Sequence, residues 1–126
     1  MIDHFWQDKY PAGITADIDP DEFPNIQAVL KQSCQRFADK PAFSNLGKTI
    51  TYGEMYALSG AFAAWLQQDT DLKPGDRIAV QLPNVLQYPV AGFGAMRAGL
   101  IVVNTNPLYT AREMEHQFND SGAKAL

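Results

Sequence analysis

The stretch from Val90 to Val103 is apolar except for Arg97 and is divided by Gly99. It falls short of the roughly 18 to 20 residues that span a bilayer, so it must be buried within a fold. A helix from about Leu86 to Ala98, ended by Gly99, followed by a strand Leu100–Val103 apolar on both faces, accounts for it. Pro89 is tolerable there because it falls near the first turn, where backbone N–H groups lack intrahelical partners. Upstream, Arg77-Ile78-Ala79-Val80-Gln81-Leu82 reads as another strand, stopped by Pro83-Asn84. Strand, helix and strand with short connections form a right-handed crossover, and strands this apolar suit the middle of a parallel sheet. Thr110 and Glu113 then make a capping-box pattern for a helix to about Asp120, which Ser121-Gly122 breaks. Ala123–Leu126 resembles a strand barely begun. The second half is therefore expected to be a β-α-β-α-β layer of parallel strands, truncated in its last strand.

The first half supplies less sheet and more helix. Residues 1–24 are rich in aromatic residues, prolines and acids with little periodicity, and read as an arm lying on something larger. Asn25 is a natural N-cap for a helix whose face would be Ile26, Val29, Leu30, Ser33 and Phe37. Asp39-Lys40-Pro41 ends it, because proline disfavours a helical residue before it. Ala42-Phe43-Ser44 and Thr49-Ile50-Thr51 flank Asn45-Leu46-Gly47-Lys48 as a hairpin. Thr51 and Glu54 form another capping box, opening a helix to about Gln68. Lys73-Pro74-Gly75-Asp76 is a turn into the strand at Arg77. No internal repeat or low-complexity tract interrupts this order, so residues 25–126 read as one α/β unit.

Charge and cysteine content remove several functions. Ten basic against fourteen acidic residues give −4, with no surplus to neutralise nucleic-acid phosphates. The N-terminus carries Asp3 early and has no apolar run of signal-peptide length. Cys34 is the only cysteine, which excludes an internal disulfide and a Cys-based zinc cluster. These features fit a soluble cytoplasmic protein.

Most reactive side chains have a structural explanation. Gly92-Phe93-Gly94-Ala95-Met96-Arg97 approaches a dinucleotide fingerprint, but its glycines fall inside a helix rather than in the turn that faces a pyrophosphate. Close packing of Ala91, Gly92, Ala95 and Ala98 against a neighbouring backbone explains them better. His116 has no second histidine near it, and His4 stands alone in the arm. Cys34, at the edge of an apolar helical face, reads as an inert, half-buried thiol. Asp17, Asp19, Asp21 and Glu22 lack the glycine and terminal glutamate of a calcium loop and read as a solvated face. Pro83-Asn84 and Asn104-Thr105-Asn106-Pro107-Leu108-Tyr109 leave the carboxyl ends of two strands, the edge where open α/β sheets gather ligands. They are the candidate pocket-lining segments, though Asn106-Pro107 is equally plain turn chemistry.

Two stretches carry a family resemblance. Ile50-Thr51-Tyr52-Gly53-Glu54-Met55 resembles the first core motif of acyl-adenylate-forming enzymes, and Ala95-Met96-Arg97-Ala98-Gly99-Leu100-Ile101-Val102-Val103-Asn104 resembles their second. Lys73–Val80 between them is similar to the family's turn into a strand. Asn104–Met114, with Glu115-His116-Gln117-Phe118 and Asp120-Ser121-Gly122-Ala123, looks most like bacterial long-chain fatty-acid–CoA ligases. The aromatic, acidic arm fits that branch as well.

That resemblance implies an N-terminal fragment of an enzyme using ATP, Mg²⁺ and coenzyme A. A fatty carboxylate attacks the α-phosphate of ATP, releasing pyrophosphate, and the coenzyme A thiol then displaces AMP from the acyl-adenylate. The family's phosphate loop, adenine segment, ribose-binding aspartate and catalytic lysine have no matching positions in these 126 residues. The resemblance therefore assigns no catalytic, cofactor-binding or metal residue here, and implies that this stretch alone is inactive and binds none of the three. It implies as partners a long-chain fatty acid and the remainder of the same polypeptide, and it admits a homodimer and peripheral association with the cytoplasmic face of a membrane. The competing readings are an aryl- or medium-chain acid ligase, a peptide-synthetase adenylation unit, or a non-enzymatic α/β interaction module.

Overall fold

The computed structural model describes residues 5–15 and 17–126. From Phe5 to Pro24 the described residues are exposed except half-buried Phe23, and a single 3₁₀ turn, Gln7–Lys9, is their only regular element. Four helices and four strands follow: α1 (Ile26–Arg36), β1 (Pro41–Asn45), β2 (Lys48–Thr51), α2 (Tyr52–Gln68), β3 (Arg77–Val80), α3 (Gln87–Arg97), β4 (Ile101–Asn104) and α4 (Ala111–Ser121). None of the helices among the described residues is long and apolar enough to cross a membrane.

Local chemistry sets the boundaries. Asn25 Oδ1 accepts from the Ala28 N–H at 2.9 Å, satisfying an otherwise unpaired donor of α1. Thr51 Oγ1 accepts from Glu54 N at 3.1 Å while Glu54 Oε2 accepts from Thr51 N at 2.8 Å, so both arms of the capping box are made. At α4, Glu113 Oε2 accepts from both the backbone and the hydroxyl of Thr110. Gly99 ends the α3 segment with φ +86°, and a side chain there would meet Pro74 Cβ at 3.2 Å. Its carbonyl accepts from Gly75 N at 2.8 Å, so the turn before β3 locks onto the turn before β4.

The sheet is built around β3. β4 pairs with it in parallel, Ile78 opposite Val102. On the other edge of β3, Ala125 forms a parallel bridge to Ile78, with Lys124 N donating to Arg77 O and Ala125 O accepting from Ala79 N. The order is thus β4–β3–Ala125, and the expected last strand is a single bridge. β3 is buried along Ile78, Ala79 and Val80, as a central strand should be. β4 is not central: Ile101 is 47% exposed, because no strand among the described residues pairs with its outer edge.

Two clusters fill the interior. Ala63 and Leu66 of α2 meet Ile78, Ala95, Ala98 and Leu100. Leu30 and Cys34 of α1 meet Met55, flanked by Ile50 and Phe93. Burying Met55 or Leu66 fully is worth about 2–3 kcal/mol each.

Several expectations need correction. The buried face of α1 is turned relative to Ile26-Val29-Leu30-Ser33-Phe37. Ile26 is 57% exposed and Val29 39%, whereas Cys34 is fully buried. The inward stripe runs through Leu30, Ser33, Cys34 and Phe37, and exposed Gln27 at its margin donates through Nε2 to the Met96 carbonyl at 2.8 Å. The hairpin loop is two residues, Leu46-Gly47, because Asn45 pairs with Lys48. β3 stops at Val80: Thr105 N closes the ladder on Val80 O, and Pro83 supplies no N–H. Leu100 belongs to the turn before β4, its N–H bonded to Ala95 O. Of the small residues on α3, Ala95 and Ala98 are buried as expected, but an added Cβ at Gly92 would meet nothing within 4 Å. The close approach is at Gly94, where a Cβ would lie 2.7 Å from Phe62 Cδ1 and 2.9 Å from Ser59 O.

Candidate functional site

The carboxyl ends of β3 and β4 form a polar edge held by amides. Gln81 Nε2 donates to Asn106 O at 3.2 Å, and Tyr88 Oη donates to Asn104 Oδ1 at 2.8 Å. Gln117 of α4 donates through Nε2 to Asn104 O at 3.0 Å, leaving its buried Oε1 unpaired. Reversing that amide would set oxygen against oxygen at Asn104, so the orientation follows from the bond. Asn106 Oδ1 accepts from Leu108 N, the side-chain turn that Asn-Pro favours. Across the edge, Asn45 Nδ2 donates to Asn84 O at 2.8 Å, tying the hairpin to the loop after β3. Thr105 is buried within this edge.

These groups brace the loops through amides and the Tyr88 phenol, and no carboxylate, imidazole or amine takes part in the bonds just given. The Asn104–Tyr109 loop is thus a braced turn, and the large cavity of the molecule lies elsewhere.

That cavity is a groove of about 920 Å³ beside the Ala125 edge of β3. α2 contributes Phe62, Trp65 and Leu66 to its lining, together with Leu82, Ala91 and exposed Leu126. Phe62 and Trp65 stack with ring centroids 5.8 Å apart, and Trp65 is 51% exposed. At the rim Lys124 Nζ donates to Asp76 Oδ1 at 2.6 Å, and Lys73 N donates to Asp76 Oδ2 at 2.9 Å. Those bonds, the Lys124 ammonium first, hold the Asp76 carboxyl below its ordinary range. Of the two candidate loops neither Pro83-Asn84 nor Asn104–Tyr109 lines the groove; Gln81 and Leu82, just before Pro83, do.

The other singled-out residues stay apart. Cys34 is buried, not half-buried, and burial pushes its thiol pKa up, with the Arg97 guanidinium acting in the opposite direction. His116 is exposed on α4, and Asp17, Asp19, Asp21 and Glu22 are exposed in the arm, where Asp19 Oδ1 accepts from Asp21 N. His4 lies outside the described residues. Among the described residues no three His, Cys, Asp or Glu side chains come together as a metal site.

Sequence reasoning missed Gln81, Tyr88 and Gln117 as the braces of the polar edge. Gln81 left a trace, as the polar residue of an apolar strand. Tyr88 and Gln117 left none, because their partners are 16 and 13 residues away.

Comparison with known proteins places this scaffold. The sequence profile described as AMP-binding enzyme matches residues 30–126. The long-chain-fatty-acid–CoA ligase of Escherichia coli O6:H1 is 54% identical over 121 residues, covering 96% of this chain and 22% of that protein. The chain therefore spans about a fifth of the length of the curated relatives it matches. Among solved structures, the N-terminal subdomain of NpsA from Klebsiella oxytoca superposes with a TM-score of 0.76 at 24% identity, covering 80% of this chain and 26% of that one, a likeness of fold. A benzoate CoA ligase from Burkholderia xenovorans LB400 gives a TM-score of 0.74 at 28% identity, over 81% of this chain and 21% of its own. The capped start of α2, the Gly99 turn and the parallel β3–β4 pair all fall within the span that the profile matches, and the chain belongs to the AMP-binding enzyme family.

Proposed function

We propose that this chain is the N-terminal part of an enzyme that joins long-chain fatty acids to AMP from ATP and passes the acyl group to coenzyme A. The observation that carries this reading is the 54% identity to a long-chain-fatty-acid–CoA ligase along 96% of the chain. A free carboxylate is a poor acyl donor, and the mixed anhydride with AMP gives it a good leaving group. In this reading residues 1–24 are an arm and residues 25–126 an incomplete α/β subdomain. Their polar edge and apolar groove brace and seat polypeptide, and none of their side chains acts on the reacting atoms.

ATP, Mg²⁺ and coenzyme A belong to other parts of the enzyme. In this reading the residues here take no part in holding them, and no glycine-rich turn between a strand and a helix of the described residues offers N–H groups to a triphosphate. The groove is lined mainly by apolar side chains, with a half-exposed tryptophan and a polar rim, a surface suited to the remainder of the same chain. The enzyme would work in the cytoplasm, touch the membrane peripherally to collect substrate, and be able to form a homodimer.

Fatty-acid-dependent exchange of pyrophosphate into ATP by the full-length protein tests the assignment. Exchange with oleate is the expected result, and no exchange with any long-chain acid overturns it. Preference for benzoate or an amino acid would move the protein to another branch of the family. Residues 1–126 alone, given oleate, ATP, Mg²⁺ and coenzyme A, are expected to form no acyl-CoA.

A further inference from the structure

The tip of the β1–β2 hairpin contradicts the usual chemistry of such turns. Its two-residue loop holds Leu46 at φ +48° and Gly47 at φ +78°, the left-handed pair of a tight hairpin. That geometry favours Asn, Asp or Gly at the first position, since a Cβ crowds the following carbonyl there. Leu46 is the only non-glycine at positive φ among the described residues. It is also 94% exposed, more than any other large apolar side chain described. Leucine is thus unfavourable at this position both for the backbone and for the surface.

The tip is also held rigidly. The Ser44 and Thr49 hydroxyls bond across the ladder at 2.6 Å, Asn45 pairs with Lys48, and the Asn45 amide is fixed to the Asn84 carbonyl. A leucine mounted on so fixed a support presents one apolar side chain in a defined direction with little entropy left to lose.

We propose that Leu46 is a docking anchor that fills an apolar pocket in the part of the same polypeptide outside residues 1–126, a proposal that rests on the reading of this chain as one portion of a longer enzyme. The isolation of the side chain selects that occupant. Its neighbours Asn45, Gly47 and Lys48 offer no apolar patch large enough for an interface between separate molecules. One leucine is too little to hold a second copy or a lipid surface, where no tether raises its local concentration. Within one chain the effective concentration is high, so a small apolar contact contributes where separate molecules would need a large patch. The relatives supply such a part, because this chain covers only 22% of their length.

Two measurements on the full-length protein test this. A diazirine amino acid of leucine size at position 46, irradiated and mapped by mass spectrometry, is expected to cross-link to a peptide outside residues 1–126 of the same molecule. Quenching by water alone, cross-links within residues 1–126, to a second copy or to added phosphatidylglycerol vesicles overturn the proposal. Leu46→Asn gives the second readout, since asparagine suits the turn better than leucine. A free tip would gain stability from it. An anchor is expected to lose several degrees in Tm, and an unchanged or raised Tm overturns the proposal. Neither readout uses turnover, so failure of the ligase assignment in the exchange assay stays distinguishable from failure of the anchor.

Discussion

The Arg97 guanidinium lies 4.0 Å from the centre of the Tyr56 ring and donates through Nη1 to the Tyr56 carbonyl at 2.5 Å and to Ser59 Oγ at 2.9 Å. One charged side chain on α3 therefore clasps the middle of α2, and Ser59 beneath it is fully buried. Arg97→Met removes the fork and leaves the Ser59 hydroxyl with one bond fewer, which should cost about 2–3 kcal/mol. Arg97→Lys keeps the charge but cannot reproduce the planar geometry, and should recover less than half of that loss. Urea unfolding with an unchanged slope measures both.

Two glycines of α3 should respond oppositely to the same change. Gly94→Ala places a methyl group against the Ser59 carbonyl, which is helical backbone and cannot retreat, so a loss of about 1–3 kcal/mol is expected. Gly92→Ala meets open space and improves helix propensity, a gain of up to about 1 kcal/mol. Thermal unfolding of the pair settles which glycine the α2–α3 contact requires.

This pair also shows how far the sequence could be read. The helices, the hairpin and the β3–α3–β4 crossover were legible because capping residues, Gly99 and Pro83 act locally, within a few residues of the boundary they set. Which glycine touches Phe62, or which residues of α1 are covered, depends on elements far away in sequence. Periodicity gives a stripe, but only the packing of α1 against Met55 and Phe93 buries Cys34 and leaves Ile26 exposed. The site was less legible still. Its place at a strand end makes the Asn104–Tyr109 loop a candidate for pocket lining and equally for plain turn chemistry, and the groove opens on the other edge of β3, where only the return of the chain at Ala125 reveals it.

Cys34 should behave as an unreactive thiol. It is 3% exposed, and its raised pKa keeps it protonated at neutral pH. Iodoacetamide is expected to modify it at least a hundredfold more slowly than in the urea-unfolded chain. Because the native pKa lies above the unfolded one, the native state holds the proton more tightly. Its contribution to stability is complete below the unfolded thiol pKa and fades as pH rises through the native one. Cys34→Ala should flatten that alkaline fall, at the cost of a small cavity beside Met55.

Acid should loosen the edge of β3 through Asp76. Its carboxyl accepts from Lys124 Nζ and from Lys73 N, and both bonds favour the ionised form. A native pKa below the unfolded one means that the unfolded chain takes up the proton first as pH falls. The stabilisation is therefore complete above the ordinary aspartate range, about pH 4, and is lost progressively as pH drops through the native value. The two donors can be separated by salt. Lys124 is largely exposed, so its attraction is screened at high ionic strength, whereas the Lys73 N–H bond within the turn is not. Lys124→Met should remove most of the salt-sensitive part of the acid transition, leaving the Lys73 N–H bond and the weaker attraction of the Lys73 ammonium, and Asp76→Asn should remove all of it. Because Lys124 lies next to Ala125, whose bridge to Ile78 forms the edge of the sheet, the Lys124 variant should also speed amide exchange at Ala79, the donor to Ala125. Unchanged exchange at Ala79 would show that the bridge stands without the ion pair.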